Sequence, residues 1–391
     1  MRVLVVHNYY RLPGGEDAVV SAESSLLEAN GHTVTLHTVR NEDIAGISRL
    51  RLAAGTVWSH NAYRELRLLI RQARPDVVHC HNTLPLISPA AYYAAKHENT
   101  AVVQTLHNYR LRCPAAKFFR AGSTCEKCGS QRFPWSAIVH GCYRGSRSAS
   151  AAIAVMLASH RALGTYDRHV DLYIALTAFS KRKFVEYGFP SKKLAVKPNF
   201  APRPPSLGLG EEGYPIYVGR LSEEKGIHTF LGALRAMGTN ARAIVVGDGP
   251  LGSAVESATR NQPGVLWHRY KEPRELQQLV GQASCLVVPS DCYENFPMVV
   301  AESFAVGTPV VAARIGALAE LVNDGHNGLH FSQGDSHDLL RCLQWVKEHR
   351  SAILRMRANA RTEFENKYTP ERNYELLVDI YAKAQAGLGA D

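Results

Sequence analysis

The chain has 391 residues, 46% of them hydrophobic, and a formal net charge of +10 at pH 7. This length favours two domains over one, and the lack of any run of about 18 uncharged apolar residues argues against a membrane-spanning helix. The stretch that starts at Met1 is typical of a buried strand rather than a signal peptide, so we expect a cytoplasmic protein. The positive charge suits an acidic partner such as a phosphorylated substrate, a nucleic acid or an anionic membrane surface.

The first 200 residues alternate short apolar segments with helical stretches, a pattern typical of a parallel sheet covered by helices. A helix is predicted over residues 18–28, with Gly31 just past its end. The predicted strands of this first domain, residues 1–200, are 3–9, 33–38, 76–80, 101–106 and 172–176.

Two adjacent glycines, Gly14 and Gly15, follow the first strand and precede the first helix. Glycines let the backbone approach a ligand closely, and the N–H groups of a helix start can hold a phosphate. The Gly-x-Gly-x-x-Gly fingerprint is absent, and Arg40 rather than an acid follows the second strand, which argues against an NAD-dependent dehydrogenase. An ordinary turn and helix cap is the alternative for this loop.

Basic residues recur at helical spacing between the second and third strands. Arg64, Arg67, Arg71 and Arg74 lie three or four residues apart, so a helix carries them as one stripe. Such a stripe is either a solvated surface or a contact with a membrane or an acceptor.

A cysteine-rich insertion, residues 109–145, begins just after His107, which ends the fourth strand. Eight cysteines in a cytoplasmic chain argue against a disulfide framework. Within the insertion, a two-residue-spaced pair and two flanking cysteines have the composition of a structural zinc site of four thiolates. These are Cys113, Cys125, Cys128 and Cys142. Unligated thiols and an iron–sulfur or redox site are the alternatives. The basic, aromatic stretches 117–120 and 132–135 form a candidate acceptor-binding surface.

A Pro- and Gly-rich linker, residues 201–213, separates this half from a second domain over 214–368. Its predicted strands are 216–218, 243–246, 265–268, 285–288 and 310–312. Two doubly wound α/β domains joined in this way place a substrate in the cleft between them, at the carboxyl ends of the strands. Residues 369–391 have helical spacing and lie beyond the second sheet.

The second domain opens with a strand followed by Gly219, Arg220 and, five residues later, Lys225. Both cations stand around a strand-to-helix turn, so they can converge on one diphosphate and stabilise it as it leaves. A surface charge pair is the alternative. Gly247 lies in a second glycine-rich segment at the end of a strand. This segment is equally compatible with a contact to the nucleotide and with an ordinary turn.

Two carboxylates, Glu294 and Glu302, lie eight residues apart around a helix start. Pro297 suits the first helical position, so Glu294 is expected in the preceding loop and Glu302 inside the helix. The N–H groups at this helix start can bind an anion between two groups that bind hydroxyls. A rise of about 12 Å over eight helical residues is too long for a pair of carboxylates flanking one glycosidic bond.

Together these segments resemble the family-4 retaining glycosyltransferases, which have the GT-B fold of two Rossmann-like domains. The resemblance covers nearly the whole chain, and it implies that the C-terminal helix returns to the N-terminal domain. By that resemblance Glu294 binds the donor sugar, Glu302 the ribose, and Arg220 and Lys225 the diphosphate. The backbone of Asn295, Phe296, Pro297 and Met298 lines the donor site, with Gly15 approaching from the other domain.

His107 matches the histidine that lies beside the donor sugar in this family, although Asn108 stands where many members have Asp. The implied reaction is transfer of a sugar from a nucleotide-diphosphate sugar to a saccharide or lipid-linked acceptor, with retention and without a catalytic metal or other cofactor. A peripheral contact with a membrane is left as an open alternative, and a nucleic-acid partner is not expected. The alternatives are a nucleotide-sugar 2-epimerase or a phosphorylase on the same fold, or a zinc-stapled nucleic-acid-binding protein.

Overall fold

A computed structural model describes residues 1–11, 14–203 and 206–387 of the chain. Its contacts divide the chain into two compact units. The first unit comprises Met1–Phe118, Glu126–Pro198 and the segment from Asn373 onward, and the second comprises Phe119–Cys125 and Asn199–Arg372. Leu12 and Pro13 of the first loop, Pro204 and Pro205 of the predicted linker, and the last four residues lie outside the described residues.

The strands, in chain order, are β1 (Arg2–Tyr9), β2 (Thr33–Arg40), β3 (Val77–Cys80), β4 (Ala101–Leu106), β5 (Phe119–Arg120), β6 (Ser123–Thr124), β7 (Leu172–Ala175), β8 (Leu194–Val196), β9 (Pro215–Val218), β10 (Ala243–Val246), β11 (Val265–His268), β12 (Cys285–Val288), β13 (Val310–Ala313) and β14 (Gly328–Phe331).

The α-helices are α1 (Gly15–Ala29), α2 (Arg49–Val57), α3 (His60–Ala73), α4 (Ala90–His97), α5 (Trp135–Val139), α6 (Arg147–Ala162), α7 (Thr165–Arg168), α8 (Ala178–Glu186), α9 (Ile227–Ala236), α10 (Gly252–Asn261), α11 (Pro273–Gln282), α12 (Met298–Ala305), α13 (Leu318–Leu321), α14 (Ser336–Glu348), α15 (Arg350–Lys367) and α16 (Pro370–Ala386).

The first unit contains a parallel sheet with the strand order β2-β1-β3-β4-β7-β8. Every residue of β3 and β4 is buried, which explains why these strands are continuous apolar runs rather than alternating patterns. The strand order reverses between β1 and β3. In an open parallel sheet, such a switch point opens a crevice at the carboxyl ends of the strands.

The second unit has a parallel sheet of order β11-β10-β9-β12-β13-β14, with its switch point between β9 and β12. Both sheets are therefore doubly wound, and the predicted α/β architecture is confirmed. Each of the two units is therefore Rossmann-like.

The C-terminal helix α16 packs on the first unit, as predicted. The hydroxyl of Tyr381 lies 2.7 Å from Nδ1 of His79 in β3, and the hydroxyl of Tyr374 lies 2.9 Å from Nε2 of His32. The Asn373 amide also donates to the carbonyl of Pro198. None of the helices in the described part of the chain is long and apolar enough to cross a membrane.

The edge strands β8 and β14 were not predicted from the sequence. β8 has three residues, and β14 begins at a glycine, so neither carries the apolar run that marks the inner strands. The cysteine-rich insertion also contains a two-stranded hairpin, β5 with β6, and the short helix α5, where a loop-rich segment was expected.

Candidate functional site

The switch point of the second unit brings a lysine and a glutamate together. Lys225 follows β9 and Glu294 follows β12, the two strands that flank the reversal of strand order. Lys225 Nζ donates a hydrogen bond of 2.6 Å to Glu294 Oε1, and Ser290 Oγ donates to the same oxygen at 2.8 Å. The Lys225 side chain is 33% exposed and the Glu294 side chain 12% exposed, so the pair is partly accessible to a ligand.

The turn that carries Lys225 is held by a close backbone approach. Gly226 has φ +67°, and a Cβ atom there would lie 1.7 Å from the carbonyl oxygen of Pro289, just after β12. Only glycine fits this combination of left-handed backbone and contact. Burial lowers the pKa of Lys225, but the charge and hydrogen bond of Glu294, together with the neighbouring Cys292 and Glu224, outweigh burial, and the net pKa is raised. The ammonium form is therefore stable at this position.

The residues that follow β9 and β10 also approach each other closely. The Gly219 N–H donates to the carbonyl of Val246 at 3.0 Å, and a Cβ on Gly247, whose φ is +139°, would lie 1.9 Å from the Gly219 oxygen. Close backbone packing is therefore a sufficient reason for glycine at position 247, and the ligand role of Gly219 and Gly247 stays a prediction. Arg220 is exposed, and its carbonyl accepts a hydrogen bond of 2.9 Å from the Tyr217 hydroxyl.

The segment between Glu294 and Glu302 has a loop followed by a helix, as expected. Helix α12 starts at Met298 with Pro297 as its N-cap, so the expectation that Pro297 is the first helical residue was wrong by one position. The extended ψ of 112° at Pro297 keeps it outside the helix. Phe296 is buried, and its ring packs edge-on against Tyr368 at 5.5 Å.

Glu302 lies in the second turn of α12, where burial raises the pKa of its carboxyl. Asn295 is buried in the loop before the helix, and Met298 is half-buried at its start. The first N–H groups of an α-helix have no partner within the helix, so this terminus can bind an anion. The predicted donor-binding residues of the second domain therefore lie in the loops and helix starts that follow β9, β10 and β12.

In the first unit, His107 follows β4 and forms a pair with His81, which follows β3. Nε2 of His107 lies 2.8 Å from Nδ1 of His81, and the rings are stacked at 5.1 Å. His79 is buried beside them, with Nε2 at 2.7 Å from the Thr105 hydroxyl. Burial lowers the pKa of His79 to about 3 and the pKa values of His81 and His107 well below their ordinary range. These imidazoles are therefore neutral at physiological pH.

A buried ion pair lies next to these histidines. Lys197, just after β8, is fully buried and donates to Oε1 of Glu23 in α1. Oε2 of the same carboxylate lies 3.9 Å from Nε2 of His81. Sequence reasoning missed both residues, because a lysine after a short apolar run and a glutamate in a surface-type helix are typical of solvated positions. A lysine between Val196 and Pro198, directly after a strand, was the available signal.

The predicted glycine loop leads directly into α1. Gly14 is the N-cap, its N–H donates to Asp17 Oδ2 at 3.1 Å, and Asp17 Oδ1 lies 2.8 Å from Nε2 of the buried His7. A Cβ added at Gly14 would meet no atom within 4 Å, and Gly15 is an exposed first-turn residue. Open space at this position is compatible with the predicted approach of a ligand.

The four cysteines of the insertion are not in disulfide bonds. Cys113 and Cys128 are buried, whereas Cys125 and Cys142 are half-buried. Burial raises the pKa of the Cys113 thiol, and nearby backbone N–H groups, among them that of Phe118, offset the rise only in part.

The turn between Cys125 and Cys128 is fixed by α8 and the residue after it. Lys183 Nζ donates to both oxygens of Glu126 at 2.9 Å, and a Cβ on Gly129 would lie 2.4 Å from the ring of Tyr187. The Gly129 N–H closes the turn on the carbonyl of Glu126 at 2.9 Å. The spacing of this cysteine pair is therefore supported by packing as well as by sequence.

Two family models together match most of the chain. The model described as "Glycosyltransferase Family 4" matches residues 13–202, and the model described as "Glycosyl transferases group 1" matches residues 203–363. The boundary between the two matches lies inside the segment predicted as a linker.

Several named proteins are similar in sequence to this chain, over different fractions of its length. A GDP-mannose-dependent alpha-(1-6)-phosphatidylinositol dimannoside mannosyltransferase of Mycobacterium tuberculosis is 25% identical over 381 residues, which is 92% of this chain and 92% of the relative. A glycogen synthase of the same organism is 25% identical over 81% of this chain and 71% of its own length. An uncharacterized glycosyltransferase of Methanocaldococcus jannaschii is 32% identical over 132 residues, spanning 33% of this chain and only 37% of that protein.

Solved structures are similar in fold over nearly the whole chain. Anabaena HepE in complex with UDP superposes with a TM-score of 0.68 at 18% identity, covering 98% of this chain and 100% of that chain. Sucrose-phosphate synthase from Thermosynechococcus elongatus has a TM-score of 0.71 at 16% identity, with 99% of both chains covered. At these identities the likeness concerns the fold alone.

Proposed function

Because the chain belongs to the family-4 type of glycosyltransferases with a GT-B fold, we propose that it moves a sugar from a nucleotide-diphosphate sugar to an acceptor hydroxyl with anomeric retention. The product is a surface polysaccharide, a lipid-linked saccharide or another glycoconjugate. Two of the relatives named above make a polymer and a glycolipid, as their names say.

The contact between Lys225 and Glu294 carries this proposal. Lys225 binds the diphosphate of the donor, and Glu294 binds hydroxyl groups of the sugar. A salt bridge between them keeps both side chains in place before the donor arrives. Ser290 also donates to Glu294 at 2.8 Å, so the carboxylate keeps one partner when the ammonium turns to phosphate.

Charge on the leaving diphosphate is stabilised in the proposed reaction by Lys225, Arg220 and the N–H groups at the start of α12. Preorganised donors of this kind lower the barrier because they need no rearrangement as charge develops. The departing phosphate helps to remove the proton of the acceptor hydroxyl. The acceptor attacks the sugar on the same face from which the phosphate leaves. Glu302 binds the ribose, and Gly219 and Gly247 allow close backbone approach.

For the acceptor we propose a groove in the first unit with about 660 Å³ of space. Its lining includes Arg51, Trp58, His60 and Glu65, a mixture of charged and aromatic groups suited to a saccharide or a polar lipid headgroup. The groove lies between α2, α3 and the end of β2.

Helix α2 is also the proposed membrane contact, on the cytoplasmic side. Leu50 is 86% exposed and lies between the exposed residues Arg49 and Arg51. An apolar side chain flanked by cations suits an anionic bilayer surface. In the predicted stripe of α3, by contrast, Arg67 and Arg71 both bind Glu98, at 2.7 and 2.9 Å. Flotation with anionic vesicles tests this surface, and equal binding by Leu50→Glu and the unmodified protein would count against it.

For the insertion we propose a structural zinc ion held by Cys113, Cys125, Cys128 and Cys142. The turn that spans Cys125 to Cys128, closed by a hydrogen bond of 2.9 Å from the Gly129 N–H to the Glu126 carbonyl, supports this set of ligands. The ion would supply folding free energy to a segment with little core of its own.

The donor is found by a thermal-shift screen against nucleoside diphosphates and their sugars, followed by an assay of nucleoside diphosphate release. A transferase releases it only when an acceptor is present, whereas an epimerase needs none. A phosphorylase would show the absorbance of pyridoxal phosphate. Tight, salt-sensitive nucleic-acid binding without any response to nucleotide-sugars would instead favour the nucleic-acid-binding alternative.

A further inference from the structure

A network of buried polar groups lies behind His107 in the first unit. It begins with Lys197, whose side chain is fully buried and whose ammonium is bonded to Glu23. Burying two charges is costly, and apolar residues of similar volume often fill such space at no loss of stability. A charge pair at this position therefore calls for an explanation beyond packing.

Only one of the two carboxylate oxygens of Glu23 is bonded to Lys197. Oε1 accepts from Lys197, whereas Oε2 is buried, has no hydrogen-bond partner among the described residues, and lies 3.9 Å from Nε2 of His81. A neutral imidazole carries its hydrogen on one ring nitrogen and a lone pair on the other. A nearby negative oxygen favours the tautomer whose N–H is closer to it. Glu23 thus favours the hydrogen of His81 on Nε2.

The tautomer of His81 determines the tautomer of His107. Nδ1 of His81 and Nε2 of His107 are 2.8 Å apart, so one of them donates and the other accepts. With its hydrogen on Nε2, His81 has a lone pair on Nδ1, and His107 must donate from its own Nε2. The remaining ring nitrogen of His107, Nδ1, is then an acceptor.

We propose that the Lys197–Glu23 pair acts as a positioning device that fixes, through His81, the tautomer of His107 with hydrogen on Nε2 and a lone pair on Nδ1. The consequence for catalysis rests on the proposed function. In that reaction, a His107 ring held in this way accepts a hydrogen bond from a hydroxyl group at Nδ1 and cannot donate one there. Neither Lys197 nor Glu23 touches the donor in this proposal.

The test is a measurement of histidine tautomers by NMR on protein labelled with ¹⁵N at the imidazole nitrogens. The His107 signals are assigned by their loss in His107→Gln. We expect neutral rings with hydrogen on Nε2 for both His81 and His107. A hydrogen on Nδ1 of His107 in the unmodified protein would overturn the proposal.

The informative variant changes both members of the ion pair. Glu23→Gln alone leaves a buried ammonium without a counter-charge and risks unfolding, so it is combined with Lys197→Met. In the double variant an amide, which can donate or accept, faces His81, and we expect the His107 signals to move toward a mixture of tautomers. Unchanged signals would show that the ion pair does not set the tautomer.

A matched control is the Lys96–Asp171 ion pair of the same unit. Lys96 Nζ lies 2.7 and 2.6 Å from the two Asp171 oxygens, and Asp171 accepts from the N–H of Val102 near the opposite end of β4. Lys96→Met combined with Asp171→Asn removes an ion pair of similar length without touching the histidines. Its tautomer signals should be those of the unmodified protein.

Activity gives a second readout with the donor identified by the screen. We expect a drop in kcat/KM of about tenfold for the Glu23 and Lys197 double variant, the size of one lost hydrogen bond, and a change within about twofold for the control. If no transfer activity is found, the proposed function fails while the tautomer measurement still decides this inference. If transfer is found but the tautomer is unaffected, only this inference fails.

Discussion

The Lys225 ammonium lies 2.6 Å from a carboxylate oxygen of Glu294, although 69 residues separate the two in the chain. They meet because β9 and β12 are neighbours in the sheet and each residue lies in a loop that follows one of them. The pair stands at the switch point of the second sheet, where a doubly wound fold opens a ligand crevice. Its geometry leads to the first prediction.

Replacing Lys225 by Ala should lower kcat by about 100-fold or more, because one preorganised donor to the developing charge is lost. The protein should stay folded, since the side chain is 33% exposed and Glu294 keeps its bond to Ser290. The control is Lys367→Ala, which removes an exposed lysine paired to Glu363 at 2.7 Å in α15. Near-normal transfer by the Lys225 variant would contradict the assignment of the diphosphate site.

Glu302→Gln should weaken the preference for a ribose. A carboxylate that accepts hydrogen bonds from ribose hydroxyls contributes about 1.5 to 3 kcal/mol, so we expect 10- to 100-fold weaker binding of the cognate nucleoside diphosphate. Its 2′,3′-dideoxy analogue lacks those hydroxyls and serves as the internal control. Calorimetric titration of both ligands measures the difference, and an equal loss for the two would place Glu302 away from the ribose.

Gly226→Ala should destabilise the protein more than Gly238→Ala. Both glycines have left-handed backbone, φ +67° and φ +76°, but a Cβ at 226 meets the Pro289 oxygen at 1.7 Å and one at 238 meets no atom within 4 Å. The backbone penalty alone is about 1–2 kcal/mol. Urea unfolding should therefore give a loss near that size for Gly238→Ala and a larger loss for Gly226→Ala. Equal losses would mean that the turn moves aside freely.

The free energy of unfolding should decrease as the pH is lowered, because buried histidines such as His79 resist protonation in the folded state. The pKa of His79 is lowered to about 3 by burial, whereas an unfolded histidine has a pKa of about 6.5. Between these values the unfolded chain binds a proton that the folded chain does not, so the folded state loses up to about 1.4 kcal/mol per pH unit as the pH falls. Above pH 7 both states are neutral at this site and the effect vanishes.

The measurement for this prediction is urea unfolding at several pH values between 7 and 4. His79→Gln should flatten the dependence by about one proton, because it removes one such group. His60→Gln, at an exposed position of the same unit, is the control. An identical slope for His79→Gln and the unmodified protein would show that His79 is not the group responsible.

Protein purified without added zinc should contain about one zinc ion per chain, the content of a single four-thiolate site. Cys128→Ser should lose most of the metal, because the remaining three ligands bind weakly. Cys342→Ser is the control, since this buried cysteine lies in α14 and its sulfur bonds to the carbonyl of His330. A metal content far below one equivalent in the unmodified protein would end the zinc proposal.

The strand pattern of the chain was largely readable from the sequence. Strands 101–106, 243–246, 265–268 and 285–288 were predicted to the residue. Three of them lie inside their sheets, where strands are continuous apolar runs, whereas 265–268 is an edge strand. Helix starts were less precise: the helix predicted from residue 18 begins at Gly15, and Pro297 caps α12 instead of opening it. One-residue differences of this kind depend on cap geometry rather than on periodicity.

By itself the sequence determined the two doubly wound halves, the glycine turns and the residues that resemble a nucleotide-sugar site, since these depend on local periodicity and on motifs. Only the tertiary structure decided that Lys225 bonds to Glu294, that Lys197 is buried against Glu23, and that His81 faces His107. Such contacts join residues after different strands, and the strand order that brings them together is not written in any local pattern. In the sequence, a lysine followed by proline has the same appearance as a solvated lysine. The burial of Lys197 becomes evident only in the folded structure.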